Sequence, residues 1–337
     1  MMRFALVGCG KIGERHAKYI HEFASLVALC DIATDALHGF TNKYPQAVAF
    51  TDFATMLTQI DADVISICTP NGEHATQAIA ALEAGFHVLV EKPMAIHSND
   101  AKNMIATAEK VGKKLFVVKQ NRFNPPVVAV KNALENGTLG KILSVQVNCF
   151  WNRNEAYYNN SWRGSQQLDG GTLYTQFSHF IDLIYWLAGP IQEVKAFTNN
   201  AQHQGVIDFE DQGVVCFNTS AGALGTIHFT VNAYAKNMEG SITLFCEKGT
   251  VKIGGQYLNE LEYQSIDNFV FENLPIGNGP NNYGAYVGSM SNHDVLYKTL
   301  VAQFHQPPAI IAGADALHSV IAIEKIYAAA TYQKSGL

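Results

Sequence analysis

The stretch FALVGCGKIGERHA, residues 4–17, constrains the fold of this chain more than any other. An apolar run leads into Gly8, Gly10 and Gly13, which have G-x-G-x-x-G spacing, and a helical pattern follows directly. Glycines permit a tight turn and a close backbone approach, and a helix N-terminus offers amide groups to a pyrophosphate. The motif therefore predicts a strand–turn–helix unit that binds a dinucleotide, although glycines at such turns also serve purely structural purposes.

Short apolar runs alternate with helical patterns over residues 1–120. The strand candidates are RFALVG, SLVALCD, DVISICTP, FHVLVEKP and KLFVVKQ. Helical patterns lie between them, and the last of these has Ser98 as its predicted N-cap and Gly112 as its C-terminal stop. Repeated strand–helix–strand units predict an α/β domain with a parallel, doubly wound sheet of the Rossmann type over residues 1–120.

After residue 120 the pattern changes to successive strands. A helix opened by NPP and closed by Gly137 precedes KILSVQVNCFW, EVKAFTN, QGVVCFN, ALGTIHFTVNA and the hairpin-like GSITLFCEKGTVKIGG. Strands that follow one another with turn signals predict an α+β domain with an open, mostly antiparallel sheet over residues 121–337. Residues 278–291, rich in Asn, Gly and Tyr, are predicted to form a mobile loop, and two helices separated by QPP are predicted to follow.

Composition restricts the classes of protein and partner. The 337 residues predict two domains, and 48% hydrophobic with 15% charged residues is typical of soluble globular proteins. The formal charge of −6 provides no basic field for nucleic acid or an anionic membrane. The first apolar run is too short for a signal peptide, and the six cysteines lie singly, like small core residues in a reducing compartment. We expect a cytoplasmic protein with no metal site.

The residue that ends the second strand candidate indicates which dinucleotide binds. Asp31 lies 18 residues beyond Gly13, where a carboxylate accepts hydrogen bonds from a ribose diol. The same charge repels a 2′-phosphate by about 4 kcal/mol at a separation of about 4 Å and an effective dielectric constant of about 20. No arginine follows in DIATDA. We therefore predict NAD rather than NADP.

Three further segments follow the glycine motif in order: CTPNGEH (68–74), EKP (91–93) and SHFIDLIYWL (178–187). Together they resemble the glucose-fructose oxidoreductase, inositol dehydrogenase and MocA family over essentially the whole chain. The resemblance implies an NAD-dependent dehydrogenase that acts on a sugar hydroxyl. The predicted cofactor-binding residues are Gly8, Gly10, Lys11, Ile12, Gly13, Asp31, Thr69, Pro70, Asn71, His74, Glu91 and Lys92. For Asn71 and His74 the alternative is a helix entry that Asn71 caps.

The resemblance assigns Lys92 to the proton chemistry. It lies at the end of the fifth strand, and the following Pro93 fixes the turn that aims the lysine at the substrate hydroxyl. An ammonium in a dry cleft loses its proton more readily than one in water, so it can exchange a proton with an alcohol that becomes a ketone. The alternative is a surface lysine paired with Glu91.

His179 resembles the family histidine that faces the sugar, and Asp182 is predicted on the same side of the helix. Both His179 and Lys92 are expected at one cleft. Many family members carry an aspartate four residues before the histidine, where this chain has Thr175. Because a threonine cannot stabilise an imidazolium as a charge does, the proton acceptor stays open between His179 and Lys92. The alternative for His179 is a buried structural histidine.

Residues 117–126 and 150–171 gather arginines, aromatic residues and amides that would flank the cleft. Aromatic faces stack on sugars or bases, and arginine forks bind carboxylate or phosphate oxygens. The predicted substrate-binding residues are Arg122, Asn124, Trp151, Arg153, Trp162, Arg163, Thr175, Gln176 and His179, with Tyr157 and Tyr158 nearby.

This set resembles the branch of the family associated with bacterial surface-polysaccharide genes, for which oxidation of the 3-hydroxyl of UDP-N-acetylglucosamine or its uronate is proposed. The alternatives are a dehydrogenase of a free sugar or inositol, and a non-catalytic NAD-binding regulator. The aromatic loop could instead pack a subunit interface, since we expect a homodimer or homotetramer.

Overall fold

Alternating strands and helices form the first part of the computed structural model, which describes residues 1–159, 161–284, 286–306 and 311–332. The elements are β1 (Arg3–Val7), α1 (Lys11–Phe23), β2 (Ser25–Cys30), α2 (Thr34–Lys43), β3 (Val48–Phe50), α3 (Phe53–Gln59), β4 (Val64–Ile67), α4 (His74–Glu83), β5 (His87–Val90), α5 (Ser98–Val111) and β6 (Leu115–Val117). The six strands pair in the order β3-β2-β1-β4-β5-β6, and every pairing is parallel. The predicted doubly wound sheet is confirmed.

The interior of this sheet explains why its strands could be found from sequence. Every residue of β4 is buried, as are the last three of β5, because helices cover both faces of a parallel sheet. The edge strand β3 was not predicted because it is only three residues long, and two of its three side chains are exposed. Gly112 ends α5 with φ +67°, as predicted, whereas Ser98 is the first helical residue and His97 occupies the cap position.

Strands dominate the next part of the chain. The elements are α6 (Pro125–Glu135), β7 (Ile142–Phe150), α7 (Glu155–Tyr158), α8 (Thr172–Thr175), α9 (Ser178–Ala188), β8 (Ile191–Asn199), β9 (Gln212–Thr219), β10 (Leu224–Thr230), β11 (Glu239–Cys246), β12 (Gly249–Gly254), β13 (Glu260–Ile266), β14 (Pro280–Asn282) and β15 (Val287–Met290). After them come α10 (His293–Gln303), α11 (Gly313–Ala329) and β16 (Ala330–Tyr332).

An eight-stranded sheet has the order β13-β12-β11-β7-β10-β9-β8-β16. Only the β10–β7 and β16–β8 pairings among these are parallel, so the predicted mostly antiparallel sheet is confirmed. Side chains alternate between a buried and a solvent face along the strands, as in β9. Cys216 lies on the solvent face of β9 and is exposed, so the expectation that every cysteine belongs to the core is wrong for this one.

The predicted loop at residues 278–291 is instead a strand pair. β14 pairs antiparallel with β15, with Asn282 opposite Val287. The polar residues that suggested a loop include Asn281 and Ser289, whose side chains are buried. Ala285 lies outside the described residues. The helices α10 and α11 confirm the two predicted C-terminal helices, and Pro307 and Pro308 of the QPP segment between them also lie outside the described residues.

The chain divides into two compact units. The first contains Met1–Lys119 and His293–Val320, and the second contains Gln120–Asn292 and the described residues from Ile321 onward. Residues of α10 join the first unit because they take part in its buried hydrogen bonds. The functional division at residues 1–120 and 121–337 stays a prediction. Among the described residues, no helix has the length and apolar character needed to cross a membrane.

Candidate active site

The glycine turn between β1 and α1 has two crowded positions and one open position. Gly8 has φ +95°, and a Cβ there would lie 2.7 Å from the carbonyl carbon of Cys68. A Cβ at Gly13 would lie 2.1 Å from the Gly8 carbonyl oxygen. Gly10 caps α1, is exposed, and has no atom within 4 Å of its would-be Cβ. The turn is therefore packed tightly against β4 and open at the helix N-terminus, which fits a dinucleotide pyrophosphate.

Asp31 lies directly after β2 and contacts this turn. Its Oδ2 accepts a hydrogen bond from the Cys9 amide at 2.7 Å, and its Oδ1 accepts one from the Ala33 amide at 2.8 Å. The Asp31 side chain is half-exposed. Of the two neighbouring residues that were also predicted to bind the cofactor, Lys11 is exposed and Ile12 is half-buried. The carboxylate thus has a fixed orientation beside the turn, where a ribose diol of a bound dinucleotide is expected.

Asp31→Ser is expected to narrow the preference for NADH over NADPH, because the substitution removes the charge that repels a 2′-phosphate. NADH affinity should also fall, since the serine hydroxyl cannot accept both backbone hydrogen bonds. Calorimetric titration with the two reduced cofactors measures the change, and Asp267→Ser, which alters an exposed aspartate of the second unit, is the matched control. Equal affinity of the wild-type protein for both cofactors would refute the ribose role of Asp31.

The segment after β4 is joined to the turn after β5 by His74. Its Nε2 lies 2.9 Å from the Thr69 carbonyl oxygen and its Nδ1 lies 2.7 Å from that of Pro93. Burial lowers the pKa of His74, so its neutral ring donates to one of these carbonyls at a time. The Thr69 hydroxyl donates to Gln77. Asn71 is buried and begins a 3-10 turn ahead of α4, and Glu73 rather than Asn71 occupies the cap position of α4.

A buried cluster around Glu91 was missed by sequence reasoning. Glu91 Oε1 lies 2.8 Å from His16 Nε2 and 3.3 Å from His293 Nε2. His16 Nδ1 lies 2.7 Å from the hydroxyl of Tyr297. Burial alone would raise the pKa of Glu91, but the hydrogen bonds from both histidines hold it well below its ordinary value. The ionised carboxylate therefore joins α1, the end of β5 and α10 inside the first unit.

Lys92 follows this carboxylate and is half-buried. Its backbone amide donates to Glu91 Oε2 at 3.0 Å, and its peptide bond to Pro93 is cis. Glu91 is only 5% exposed. The alternative in which Lys92 and Glu91 form a surface pair is therefore wrong, because Glu91 is an interior residue. The Glu91 side chain is held by the two histidines, which argues against its predicted contact with the cofactor.

His179, in α9, is buried beside two polar residues that the sequence did not single out. Its Nε2 lies 3.2 Å from the Gln120 amide nitrogen and 3.1 Å from the Ser289 hydroxyl, and these two groups are 3.1 Å apart. When the Gln120 amide nitrogen donates this hydrogen bond, Nε2 of His179 is the unprotonated ring nitrogen and accepts it through its lone pair. Gln120 follows β6, so the rule that ligands bind beyond strand ends could have found it. No sequence signal marks Ser289.

Arg122 was predicted to bind the substrate, and the structure corrects this. The side chain is 1% exposed, and its guanidinium binds both carboxylate oxygens of Asp182 at 2.7 and 2.8 Å. The Trp186 ring lies 5.3 Å from the guanidinium carbon. Arg122 therefore ties the segment after β6 to α9 and stabilises the helix that carries His179.

Asn124 and Trp151 are also interior residues rather than substrate ligands. The Asn124 side-chain nitrogen donates to the carbonyls of Tyr257 and Leu258, and its oxygen accepts from Asn292. Trp151 is buried, and its indole nitrogen donates to the Gln256 carbonyl at 3.2 Å. Backbone carbonyls and the Asn292 side chain already use the hydrogen-bonding groups of Asn124 and Trp151, which argues against their predicted contact with the substrate.

Thr175 and Gln176 face different partners. The Thr175 hydroxyl donates to the buried carboxylate of Asp169. Gln176 accepts a hydrogen bond from Arg153 Nε at 2.8 Å and donates to the Tyr157 hydroxyl at 2.8 Å. Gln176 thereby positions two members of the predicted substrate set.

Arg153 and Arg163 lie close to several aromatic rings. The guanidinium carbon of Arg153 lies 5.1 Å from the ring centre of Tyr157 and 5.2 Å from that of Tyr286. The guanidinium of Arg163 lies over Tyr157 at 4.8 Å and over the half-buried Trp162 at 5.1 Å. Tyr158, by contrast, packs into a small apolar cluster with Ile207 and Phe209.

Beside these rings lies a cavity of about 300 Å³, here called the arginine–tyrosine pocket. Its lining includes Arg153, Tyr157, Lys236, Asn237 and Tyr286. All of them belong to the second unit. A pocket with cationic and aromatic walls and no acidic side chain in its lining suits an anionic ligand with an apolar face.

The fold and these residues match a known class of oxidoreductase. Residues 2–119 match the model of the GFO/IDH/MocA oxidoreductase family with an NAD-binding Rossmann fold, and residues 127–252 match a C-terminal domain model of the same family. The chain belongs to the GFO/IDH/MocA oxidoreductase family, and its first unit contains an NAD-binding Rossmann domain.

Individual relatives are similar over different lengths. The WlbA dehydrogenase from Bordetella pertussis, solved in complex with NADH and UDP-GlcNAcA, is 36% identical, with a TM-score of 0.86 over 97% of this chain and 96% of that one. The D-glucoside 3-dehydrogenase of Escherichia coli is 35% identical over 42% of this chain and 41% of its own length, so this chain spans less than half of that relative. Inositol 2-dehydrogenase of Salmonella typhimurium is 26% identical over 75% of this chain and 74% of its own length.

Proposed function

We propose that this protein uses NAD to oxidise the 3-hydroxyl of UDP-N-acetylglucosamine or its uronate in surface-polysaccharide biosynthesis. The observation that carries the proposal is the pair of guanidinium groups stacked on tyrosines in the unit that also holds His179. A diphosphate or carboxylate gives such groups charged oxygens to bind, whereas a neutral polyol needs neither arginine. The similarity over nearly the whole chain to a dehydrogenase solved with NADH and UDP-GlcNAcA supports the same substrate class.

The reaction converts an alcohol into a ketone. The C3–H bond breaks with its electron pair, and the O–H proton leaves as the C=O bond forms. NAD, when bound, accepts the hydride. His179 is assigned to the proton because its Nε2 lone pair already accepts hydrogen bonds. Lys92 is assigned to the same hydroxyl as a donor or acceptor, and the order in which the two groups act stays open.

The runner-up is oxidation of a free sugar or a glycoside. The similarity to D-glucoside 3-dehydrogenase favours it, since that relative is named for oxidation at the same sugar position without a nucleotide. The two candidates differ in whether the substrate carries the charged groups for which Arg153 and Arg163 are suited.

Turnover is expected with UDP-N-acetylglucosamine or its uronate in preference to glucose or myo-inositol. Binding energy from the uridine diphosphate can orient the reacting carbon, so a truncated sugar should lose rate as well as affinity. The measurement is a screen for NADH formation by absorbance, with a carbonyl trap because oxidation of the alcohol is unfavourable at neutral pH. Turnover with inositol or a free hexose and none with any UDP-sugar would contradict the proposal. No NADH formation with any tested compound, in a protein that binds NAD, would favour the non-catalytic NAD-binding regulator.

The expected homodimer or homotetramer and the cytoplasmic location stay predictions. Apolar side chains exposed on strands of the eight-stranded sheet, among them Phe197, Leu224 and Phe245, support self-association. Native mass spectrometry of the purified protein measures the oligomeric state and detects any NAD or sugar nucleotide that co-purifies.

A further inference from the structure

We propose that the arginine–tyrosine pocket binds the acidic group of the substrate, a carboxylate or a phosphate, through Arg153 and Lys236. This inference rests on the proposed function and deepens it. It selects from the cationic residues of the second unit those that contact the ligand directly, and it adds Lys236, which no motif indicated.

Arg153 is a buried cation that no carboxylate of the described residues neutralises. Its side chain belongs to a residue that is 3% exposed, yet no carboxylate among the described residues forms an ion pair with it. Burying an unpaired charge is costly, and charged side chains are almost never fully buried unless paired. An anionic ligand that enters the pocket would supply the missing negative charge.

The guanidinium of Arg153 is held rigidly, with one nitrogen left over. Its Nε donates to Gln176 at 2.8 Å, and its Nη1 donates to the Asn152 carbonyl at 2.6 Å and to Asn237 at 3.2 Å. Rings of Trp151, Tyr157 and Tyr286 surround it. Its Nη2 makes no hydrogen bond with any described residue. The guanidinium is held through Nε and Nη1, while Nη2 is available, so the group is preorganised to donate to an oxyanion.

The pair formed by His203 and Asp211 fixes the backbone of Arg153. His203 Nε2 donates to the Arg153 carbonyl at 2.7 Å, and its Nδ1 lies 3.1 Å from Asp211. Burial alone would lower the pKa of His203, but the hydrogen bonds to Asp211 and to the Arg153 carbonyl, together with the nearby carboxylates, hold the pKa above its ordinary value. Asp211 pairs with His203 and forms no ion pair with the Arg153 guanidinium, so this carboxylate does not neutralise the charge of Arg153.

The other charged side chain that lines the pocket is also positive, like Arg153. Lys236 is exposed at the pocket, forms no ion pair with a described residue, and is the other charged side chain of the lining. Arg163 differs, because its Nη1 and Nη2 donate to Ser161 and to the Tyr286 hydroxyl. Arg163 therefore supports the tyrosine wall, while Arg153 and Lys236 present their charge to the ligand.

One strand links the pocket to His179. Val287 lines the pocket and Ser289 contacts His179, and both lie on β15. Residues two apart in a strand point to the same face and are about 7 Å apart. This separation is about the width of a sugar ring. We therefore expect a sugar whose acidic substituent occupies the pocket to present a hydroxyl to the imidazole.

The test compares Arg153→Gln and Lys236→Gln with Lys195→Gln, which alters an exposed lysine on the eight-stranded sheet. Titration calorimetry with UDP-N-acetylglucosaminuronate, UDP and D-glucuronate measures binding, and kcat/KM is measured with the uronate and with UDP-N-acetylglucosamine. A hydrogen bond to a charged group predicts a loss of about 10- to 100-fold in Arg153→Gln. The exposed Lys236 predicts a loss of about 2- to 5-fold. Lys195→Gln should match the wild-type protein.

The pattern of losses identifies the acidic group. A loss confined to the uronate and D-glucuronate assigns a carboxylate, and a loss shared by UDP and both sugar nucleotides assigns a phosphate. Unchanged affinity of Arg153→Gln for all three probes would overturn the subsite. If Arg153→Gln does not fold, unchanged affinity of Lys236→Gln for all three probes would overturn it. If the wild-type protein turns over no UDP-sugar but binds UDP or D-glucuronate in an Arg153-dependent manner, the proposed function fails and the subsite stands.

Discussion

Replacing Lys92 with Met or His179 with Ala is expected to lower kcat by at least about 100-fold, the lower range for general acid–base groups. Each variant removes a group that can take or return the proton of the oxidised hydroxyl. The methionine has nearly the length of lysine without its charge, and the alanine removes the Nε2 that Gln120 and Ser289 contact. The measurement is steady-state turnover with a substrate that the wild-type protein accepts.

Two controls separate lost chemistry from lost structure. Lys102→Met and His38→Ala alter exposed residues of α5 and α2 and should leave kcat unchanged. Titration with NADH should show that Lys92→Met and His179→Ala still bind the cofactor, because neither change touches the glycine turn. Near-normal kcat in one variant would remove that residue from the proton chemistry, and normal rates in both would move the chemistry elsewhere.

Glu91→Ala is expected to lower the free energy of unfolding by about 1.5–3 kcal/mol, because buried histidine donors lose their hydrogen bonds to a charged acceptor. The change removes the oxygen shared by His16 and His293 and the acceptor of the Lys92 amide. Urea unfolding followed by circular dichroism measures the loss. Glu109→Ala, at an exposed position of α5, is the matched control and should change stability by less than about 0.5 kcal/mol.

The same cluster predicts how this loss depends on pH. The folded-state pKa of Glu91 lies well below its ordinary value of 4.5, so its contribution is present above that pH and is lost as the carboxylate is protonated. Burial lowers the pKa of His293 from 6.5. Below that pH, His293 binds more protons in the unfolded chain than in the folded protein, which lowers the stability of the folded protein as the pH falls. The difference between wild type and Glu91→Ala should therefore narrow as the pH falls below 4.5. A difference below about 1 kcal/mol at neutral pH would show that the Glu91 carboxylate does not stabilise the folded protein.

Much of the first unit could be predicted from its sequence, because its features depend on residues that are close together in the chain. The positive φ of Gly8 and the contact of Gly13 with the Gly8 carbonyl are requirements that only glycine meets, and such requirements appear directly as residue types at fixed spacing. Strands buried on both faces appear as continuous apolar runs, which is why β4 and β5 were found. Asp31 could be assigned because it directly follows a strand whose end position was already predicted.

The sequence by itself thus determined the Rossmann domain, the mostly antiparallel sheet after it, the choice of NAD and the segments that hold candidate substrate residues. Only the tertiary structure decided which of those residues are available. Arg122 and Arg153 are the same residue type in two predicted substrate segments, but Asp182 neutralises the first and no described carboxylate pairs with the second. His293 meets Glu91 from 202 positions away, and Ser289 meets His179 from 110 positions away. The physical reason is that a side chain's charge and hydrogen bonds depend on what the fold brings within a few ångströms of it, and sequence spacing does not encode that proximity for residues so far apart.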